Sequence, residues 1–170
     1  MRVAERPGAL RAIAVFFAHS GDSWFWAIGL IAIWISGNPF WKEWAFVQLG
    51  SISLLAALVL LIKFRVRRER PVGEWGRIYR NTDPHSFPSG HAARAFLIAT
   101  IASGLGPGWL AVALWIWAPL VALARVAMGV HYLSDIVAGA LFGILVALIS
   151  LQVYPPLLNW LSGLLGFAFW

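Results

Sequence analysis

The sequence predicts an all-α fold: a polytopic bundle of five to six transmembrane helices, preceded by an amphipathic helix in the membrane interface. Hydrophobic residues make up 61% of the 170-residue chain and charged residues only 12%, whereas soluble domains average about 45–50% and about 25%. Several uncharged stretches reach the roughly 20 residues that a membrane-spanning helix needs. The chain contains no cysteine, which excludes disulfide scaffolds, thiolate zinc sites and cysteine nucleophiles. A single membrane-embedded domain over residues 1–170 is expected.

The N-terminal segment, residues 1–20, is predicted to lie along the membrane surface, because its arginines are set among Ala, Ile, Val and Phe. Five predicted crossings follow it: residues 24–35, 44–62, 90–105, 109–127 and 136–153. The last crossing is expected to end before Pro155 and Pro156, since proline cannot continue a helix. Residues 157–170 then form a sixth, tilted crossing or a helix packed on the bundle, because ~21 Å of helix is shorter than the ~30 Å hydrocarbon layer.

Basic residues are concentrated on one predicted side of the membrane. Residues 63–80 contain seven Lys and Arg, and the N-terminal segment contains three more. Counting crossings places both segments on the same side as the turn at 125–135, whereas the opposite side has only Lys42. The positive-inside rule makes the basic side cytoplasmic, for a multi-pass protein of the cell membrane. The net charge is +6, but the apolar surroundings of the charges argue against nucleic-acid binding.

Three polar clusters interrupt the apolar chain, and the first two have simple structural explanations. Lys63, with Arg70 and Pro71 after it, is typical of a basic border at the end of a span. Residues 88–91, with the sequence Pro-Ser-Gly-His, suit the N-terminus of a helix capped by serine. The same N-terminus is also suited to binding an anion, because free N–H groups and the helix dipole converge there.

The third cluster joins a histidine to a carboxylate. Asp135 follows His131 by four residues, a spacing that lets the carboxylate bond one ring nitrogen and leave the other free. Arg125 precedes this pair, and counting crossings places all three clusters at one membrane surface. Three cations, a helix N-terminus and two histidines suit phosphoryl transfer, which depends on positioning and charge stabilisation. His131 is the candidate nucleophile, oriented by Asp135, and His91 is the candidate general acid.

No metal or other cofactor is expected. Two-metal phosphatases need several carboxylates or histidines close together, whereas the acidic residues near these clusters are few and dispersed. We expect the basic side chains, whose guanidinium groups match phosphate oxygens bidentately, to replace the metal.

In this order and spacing, the clusters closely resemble the motifs of the type 2 phosphatidic acid phosphatase superfamily, which includes the vanadium haloperoxidases. The family pattern, K-x6-R-P, P-S-G-H and S-R-x5-H-x3-D, is matched within residues 54–147, except that Ala124 replaces the serine of the third motif. The resemblance implies a helical bundle, often of six spans, a phosphohistidine intermediate and no required metal. It implies that His131 attacks the phosphate, that Asp135 orients His131 and that His91 is the acid. The residues that the resemblance assigns to phosphate binding are Lys63, Arg70, Ser89, Gly90 and Arg125.

The leading functional hypothesis is a membrane lipid phosphatase that removes the terminal phosphate of a lipid mono- or diphosphate. Phosphatidic acid, phosphatidylglycerol phosphate and polyprenyl mono- or diphosphates all fit the same site. A phosphotransferase that passes the phosphoryl group to an alcohol is an alternative, as is a non-catalytic membrane scaffold, although the intact motifs disfavour the scaffold. A haloperoxidase is disfavoured by the membrane composition. The expected partners are the lipid phosphate and membrane lipids, with no oligomeric state indicated.

Residues beside the motifs are secondary candidates. Arg94, one turn after His91, either faces the site or pairs with an acid such as Asp83 or Glu74. Three arginines are expected to attract anionic headgroups: Arg65, Arg67 and Arg68. Five loop residues are expected to read the headgroup, since loops over a rigid site often set specificity: Trp75, Tyr79, Asn81, Asp83 and His85.

Overall fold

The computed structural model describes residues 7–72 and 83–165, and within these residues it is all-helical with no strand. Its helices are α1 (Ala9–Ser20), α2 (Ser23–Ser36), α3 (Pro39–Val66), α4 (Gly90–Leu105), α5 (Gly108–Ala127) and α6 (Leu133–Leu165). Helices α3, α5 and α6 are long and apolar enough to cross a membrane. The predicted all-α membrane bundle is confirmed, and the chain is an integral membrane protein. Helices α2 and α4, with 14 and 16 residues, are shorter, so the number of crossings stays a prediction.

The predicted end of the last crossing before the two prolines is wrong. Helix α6 continues through Pro155 and Pro156 to Leu165 as one helix of 33 residues. Each proline removes one N–H donor from the helix, which membrane helices tolerate where neighbouring helices hold them in place. Tyr154 supplies such a hold, because its hydroxyl is hydrogen-bonded to Glu43 of α3. Residues 157–165 therefore extend α6 and do not form a separate helix.

Helix α1 accounts for the described part of the predicted N-terminal helix. Ala14 and Ala18 pack against Met128 and Val130, at the end of α5. Other apolar side chains of α1, such as Phe16, are exposed. This helix therefore lies at the end of the bundle where α5 leads into α6, and its position relative to the lipid stays a prediction.

Helix α4 forms the core of the bundle, packed mainly against α5 and α6 and also against α3. Two glycines of α6 allow its close approach to α4. A Cβ atom on Gly143 would lie 2.0 Å from the Ala93 carbonyl oxygen, and one on Gly139 would lie 2.5 Å from that of Ser89. Small residues four apart are a common device for bringing membrane helices into backbone contact. The contact places Asp135, one turn before Gly139, beside the start of α4, and the Ser89 N–H donates to its carbonyl oxygen at 3.0 Å.

The segment after α3 turns back toward the start of α4. Arg67 ends α3 in the left-handed region, with φ 53°, and its N–H donates to the Lys63 carbonyl at 2.9 Å. The Ser86 N–H then donates to the Arg68 carbonyl at 2.8 Å, and the Ser86 hydroxyl donates to the Glu69 carbonyl at 3.1 Å. These bonds join the segment that carries the first polar cluster to the segment that leads into the second.

Candidate active site

All three polar clusters lie together at one end of the bundle. Lys63 is in the last turn of α3 and Arg125 in the last turn of α5, while Ser89 caps α4 and Asp135 is in the first turn of α6. Their side chains lie at the ends of four different helices, and the fold brings these ends together. Six of the predicted site residues are buried: Lys63, Arg70, Ser89, Arg125, His131 and Asp135.

The two ring nitrogens of His131 face different groups. Nδ1 lies 3.6 Å from the Asp135 carboxylate, and Nε2 lies 3.2 Å from a guanidinium nitrogen of Arg70. The carboxylate is itself fixed, because it accepts hydrogen bonds of 2.9 Å from the Tyr132 N–H and 2.8 Å from Arg68. One nitrogen of the imidazole thus lies beside a carboxylate that is fixed by hydrogen bonds, and the other nitrogen faces the Arg70 guanidinium.

Burial lowers the pKa of His131 to about 4, and the positive charges of Arg125, Arg70 and Lys63 act in the same direction, whereas Asp135 opposes the shift. Removing an imidazolium from water is costly, and nearby cations raise that cost further. The ring of His131 is therefore neutral at neutral pH, which is the form that has a lone pair for nucleophilic attack.

Asp83 lies between the two cations of the first cluster. Its carboxylate pairs with the Lys63 ammonium and, at 2.7 Å, with the Arg70 guanidinium. Arg70 also donates to the carbonyls of Asp83 at 2.7 Å and Val130 at 2.9 Å, and Lys63 donates to that of His85 at 3.0 Å. The sequence marked Asp83 only as a headgroup-reading loop residue. The structure places an anion on two predicted phosphate-binding side chains.

Arg125 is 1% exposed and is close enough to His131, Lys63, His91 and Arg94 for its charge to affect each of them. It thus lies among the groups of all three clusters. Gly129 makes the turn that follows it, with φ 66°, a left-handed conformation that glycine adopts without steric cost.

Ala124, which replaces the serine of the family motif, is buried in the contact between α1 and α5. Its methyl group belongs to the apolar cluster formed with Ala14 and Ala18. In this chain the position therefore contributes to packing.

The second cluster forms the N-terminus of α4 as the sequence predicts. The Ser89 hydroxyl accepts from the Ala92 N–H at 3.4 Å. His91 follows in the first turn, with a side chain 18% exposed, and its Nε2 lies 2.7 Å from the Asp22 carboxylate. Asp22 begins α2 and also contacts His19 at 3.1 Å. The sequence analysis did not identify Asp22 as a site residue.

Asp22 is ionised in this arrangement. Burial opposes its ionisation, but hydrogen bonds and charge from His91 and His19 outweigh burial and lower the pKa of Asp22 to about 2. A carboxylate only accepts hydrogen bonds, so the His91 ring donates to it. Indole N–H groups of Trp26 and Trp117 hold the preceding turn by donating to the carbonyl and hydroxyl of Ser20 at 3.0 and 2.9 Å.

A groove of about 260 Å³ opens beside His91, between α3, α4 and the start of α2. Its polar end is lined by Ser23, Lys63, Asp83, Gly90, His91 and Arg94. Its apolar part is lined by Ile52, Leu55, Ala56, Val59 and Leu60 of α3. The groove therefore connects residues of the first and second clusters to the lipid-facing surface of the bundle.

The remaining candidates have varied outcomes. Arg68 donates to the Asp135 carboxylate and lies over the Tyr132 ring at 4.2 Å, and its attraction of headgroups stays a prediction. The His85 ring packs against Phe64, with centroids 5.9 Å apart. Four loop residues named above lie outside the described residues: Glu74, Trp75, Tyr79 and Asn81.

Within residues 7–72 and 83–165, no three His, Asp or Glu side chains group as metal ligands would.

Comparison with known proteins shows which family and which fold the chain resembles. Residues 44–158 match the sequence model of the PAP2 superfamily. The decaprenylphosphoryl-5-phosphoribose phosphatase of Mycolicibacterium smegmatis is 35% identical over 153 residues, which cover 81% of this chain and 74% of that protein. The undecaprenyl-diphosphatase of Sulfolobus acidocaldarius is 33% identical over 108 residues, covering 60% of this chain and 52% of that protein.

Two solved structures share the fold. The crystal structure of Aquifex aeolicus LpxE superposes with a TM-score of 0.71 and 30% sequence identity, covering 88% of this chain and 90% of that one. The PAP2-type phosphatidylglycerolphosphate phosphatase of Bacillus subtilis superposes with a TM-score of 0.69 at 23% identity, covering 88% and 78%. The second similarity concerns the fold alone.

Proposed function

The chain belongs to the PAP2 superfamily and is a phosphatase, and on that premise we propose that it removes the terminal phosphate of a lipid mono- or diphosphate. The observation that carries the proposal is the environment of His131. A buried imidazole lies between the Asp135 carboxylate, 3.6 Å from Nδ1, and the Arg70 guanidinium, 3.2 Å from Nε2. This arrangement supports a nucleophile whose reactive nitrogen, Nε2, lies beside a phosphate-binding group.

The proposed reaction has two steps. His131 Nε2 attacks phosphorus, a nitrogen–phosphorus bond forms, and the bond to the leaving oxygen breaks. In this step the imidazolium form of His91 donates one proton to that oxygen and keeps the other on Nε2, toward Asp22. Water then attacks the phosphohistidine, giving its proton to His91, and the nitrogen–phosphorus bond breaks to release inorganic phosphate. Asp135 is proposed to orient His131 and stabilise the positive charge that develops on its ring.

The phosphate would be held by side chains and a helix N-terminus, without a metal. Lys63, Arg70 and Arg125 supply positive charge where the transferred group carries negative charge. Ser89 and Gly90 lie at the start of α4, where N–H groups and the helix dipole favour an anion. The substrate tail would follow the groove along α3, which is apolar beyond its polar end.

Replacement of His131 tests the mechanism. His131→Ala is expected to lower phosphate release from detergent-solubilised lipid phosphates by at least about 10³-fold, because the nucleophile is lost. Rapid acid-free quenching with ³²P-labelled substrate should trap a base-stable, acid-labile phosphoenzyme in the unaltered protein and none in the variant. His85→Ala is the matched control, since its ring packs on Phe64. Full turnover in His131→Ala would refute the proposal, and loss of activity with EDTA would refute the metal-free part.

We further propose that the protein lies in the cell membrane with its basic end, and therefore the site, on the cytoplasmic side. The excess of Lys and Arg at that end supports this orientation. Because the chain has no cysteine, one introduced at Val72, which is 78% exposed, reports the side directly. A membrane-impermeant maleimide should label Val72→Cys only after the cells are opened. Labelling of intact cells would place the site on the outer side.

A further inference from the structure

Arg94 is a buried cation that the three motifs do not explain. It lies three residues after His91 in α4, it is 8% exposed, and it lines the groove beside the site. One of its guanidinium nitrogens donates to the Gly21 carbonyl at 2.9 Å and to the Ser23 hydroxyl at 2.6 Å. No carboxylate of the described residues forms an ion pair with it. Both hydrogen-bond partners of Arg94 are neutral, and the negative charge of Asp22 acts on it only from beyond ion-pair distance. A buried charge without a direct ion pair is costly in a membrane protein, so we expect a ligand to complete its neutralisation.

The acidic groups near Arg94 make their hydrogen bonds with other residues. Asp22 contacts His91 and His19, and Asp83 is held by Lys63 and Arg70. Lys63 and Arg125 add positive charge to the same region, so the groove favours an anion despite the two carboxylates.

The position of Arg94 indicates which part of a substrate it meets. Three residues of helix advance about 4.5 Å along α4 from His91, away from its N-terminus. The groove beyond is lined by apolar residues of α3, including Leu55 and Val59. Arg94 therefore lies on α4 between His91 and the apolar part of the groove that is proposed for the lipid tail.

We propose that Arg94 binds a second phosphoryl group, located between the phosphate that is cleaved and the lipid tail. This inference rests on the proposed function and narrows its substrate class to lipids with two phosphate groups in that order, joined either as a diphosphate or through a bridging sugar or glycerol. The planar guanidinium matches the paired oxygens of a phosphodiester or diphosphate.

The test compares substrates of the same tail length in the unaltered protein and in Arg94→Gln. The substrates are a polyprenyl diphosphate, a polyprenyl monophosphate and a polyprenyl phosphodiester with a terminal sugar phosphate. The variant should lose at least about 10-fold in kcat/KM on one or both of the two-phosphate substrates, as expected for a charge-assisted hydrogen bond, and less than about threefold on the monophosphate. Whichever two-phosphate substrate is affected identifies the linkage. Equal losses on all three substrates, or no loss on any, would overturn the proposal.

Two further variants separate substrate binding from packing. Arg94→Lys keeps the charge and should keep part of the preference for two phosphates. Trp117→Phe removes a hydrogen bond that holds the turn before α2 but leaves Arg94 and its contacts, so it should keep the preference in full. If Trp117→Phe reproduced the selective loss of Arg94→Gln, the loss would report the position of α2 and not the charge of Arg94, and the proposal would fall.

A binding experiment tests the diphosphate linkage without turnover. Methylenediphosphonate should raise the unfolding temperature of the unaltered protein more than that of Arg94→Gln, whereas inorganic phosphate should stabilise both equally. Equal stabilisation of the two proteins by methylenediphosphonate would exclude the diphosphate linkage, and equal losses on all three lipid substrates would then overturn the phosphodiester linkage as well. Failure of the unaltered protein to hydrolyse any lipid phosphate would instead contradict the proposed function, and the two failures are thus distinguishable.

Discussion

Two aspartates outside the three motifs contact the side chains that the motifs contribute. Asp22 holds the ring of His91 at 2.7 Å, and Asp83 bridges Lys63 and Arg70. The resting site thus contains carboxylates that orient one proposed catalytic group and occupy the cations proposed for phosphate. Substitution of either aspartate therefore tests the proposed chemistry directly.

Asp22→Asn is expected to lower kcat by about 10- to 100-fold with little change in KM, because the amide leaves the His91 ring without its carboxylate partner. The loss should shrink for a substrate with a good leaving group, such as p-nitrophenyl phosphate, since that oxygen needs no proton to depart. Steady-state kinetics with alkyl and nitrophenyl phosphates measure the difference.

The control for Asp22→Asn is His19→Ala, which removes the other histidine that contacts Asp22 and should keep nearly full activity. An equal loss on both leaving groups in Asp22→Asn would contradict a positioning role for Asp22.

Asp83→Asn is expected to strengthen the binding of inorganic phosphate or vanadate by about 5- to 10-fold. The carboxylate, 39% exposed, competes with a phosphate for Lys63 and Arg70, and the neutral amide competes less. Inhibition constants for the two anions provide the measurement. Glu69→Gln makes the same charge change at the exposed rim and should leave these constants within about twofold. Weaker anion binding in Asp83→Asn would mean that Asp83 holds the two cations in position.

Contacts within one turn could be predicted from the sequence, whereas contacts between distant segments could not. Asp135 lies beside His131 because the two residues are four positions apart at the start of α6. Asp22 and His91 are 69 residues apart, and their contact depends on how the α1–α2 turn packs against α4. Asp83 was noted only as a loop residue, because the path of a loop over a site is not set by local spacing.

Helix α4, which begins in the second cluster, approaches α6 through glycines. Gly139 and Gly143 of α6 approach the backbone of α4 more closely than any residue with a Cβ atom allows. Their four-residue spacing was a visible signal of helix contact that the sequence analysis did not use. Helix α6 also shows where a rule based on local sequence fails. Pro155 and Pro156 do not end this helix, and Tyr154 beside them is hydrogen-bonded to Glu43 of α3.

Gly143→Ala is expected to destabilise the bundle by about 1–3 kcal/mol, because the new methyl group overpacks the contact with α4. Activity should fall with stability, since the start of α4 carries Ser89 and His91. Thermal unfolding in detergent, together with phosphate release, measures both effects. Gly50→Ala in α3, where a Cβ meets nothing within 4 Å, should be neutral or slightly stabilising. An unaltered unfolding temperature in Gly143→Ala would contradict the close helix contact.

Along the long axis of the bundle, most polar and charged side chains are separated from the apolar side chains on its outer surface. Cations and carboxylates collect at one end, and exposed apolar side chains cover the helices beyond it. Composition predicted this separation, because so much apolar surface has no use in a core of this size. The groove beside α3 could not be predicted, since it depends on the space left between α2, α3 and α4. It joins the two environments, which is the arrangement that an amphiphilic substrate requires.

A bulky residue in the apolar part of the groove tests whether the substrate tail lies there. Ala56→Phe is expected to raise KM for a long-chain lipid phosphate by about 10-fold, because its ring fills space that the tail would occupy, at a cost of about 1.4 kcal/mol in binding. The same variant should hydrolyse a short-chain, water-soluble phosphate at an unchanged rate, because the polar end of the groove is untouched. Ala57→Phe, on the neighbouring exposed surface of α3 outside the groove, is the matched control for added bulk. A KM that rises equally in both variants, or in neither, would place the tail elsewhere on the bundle.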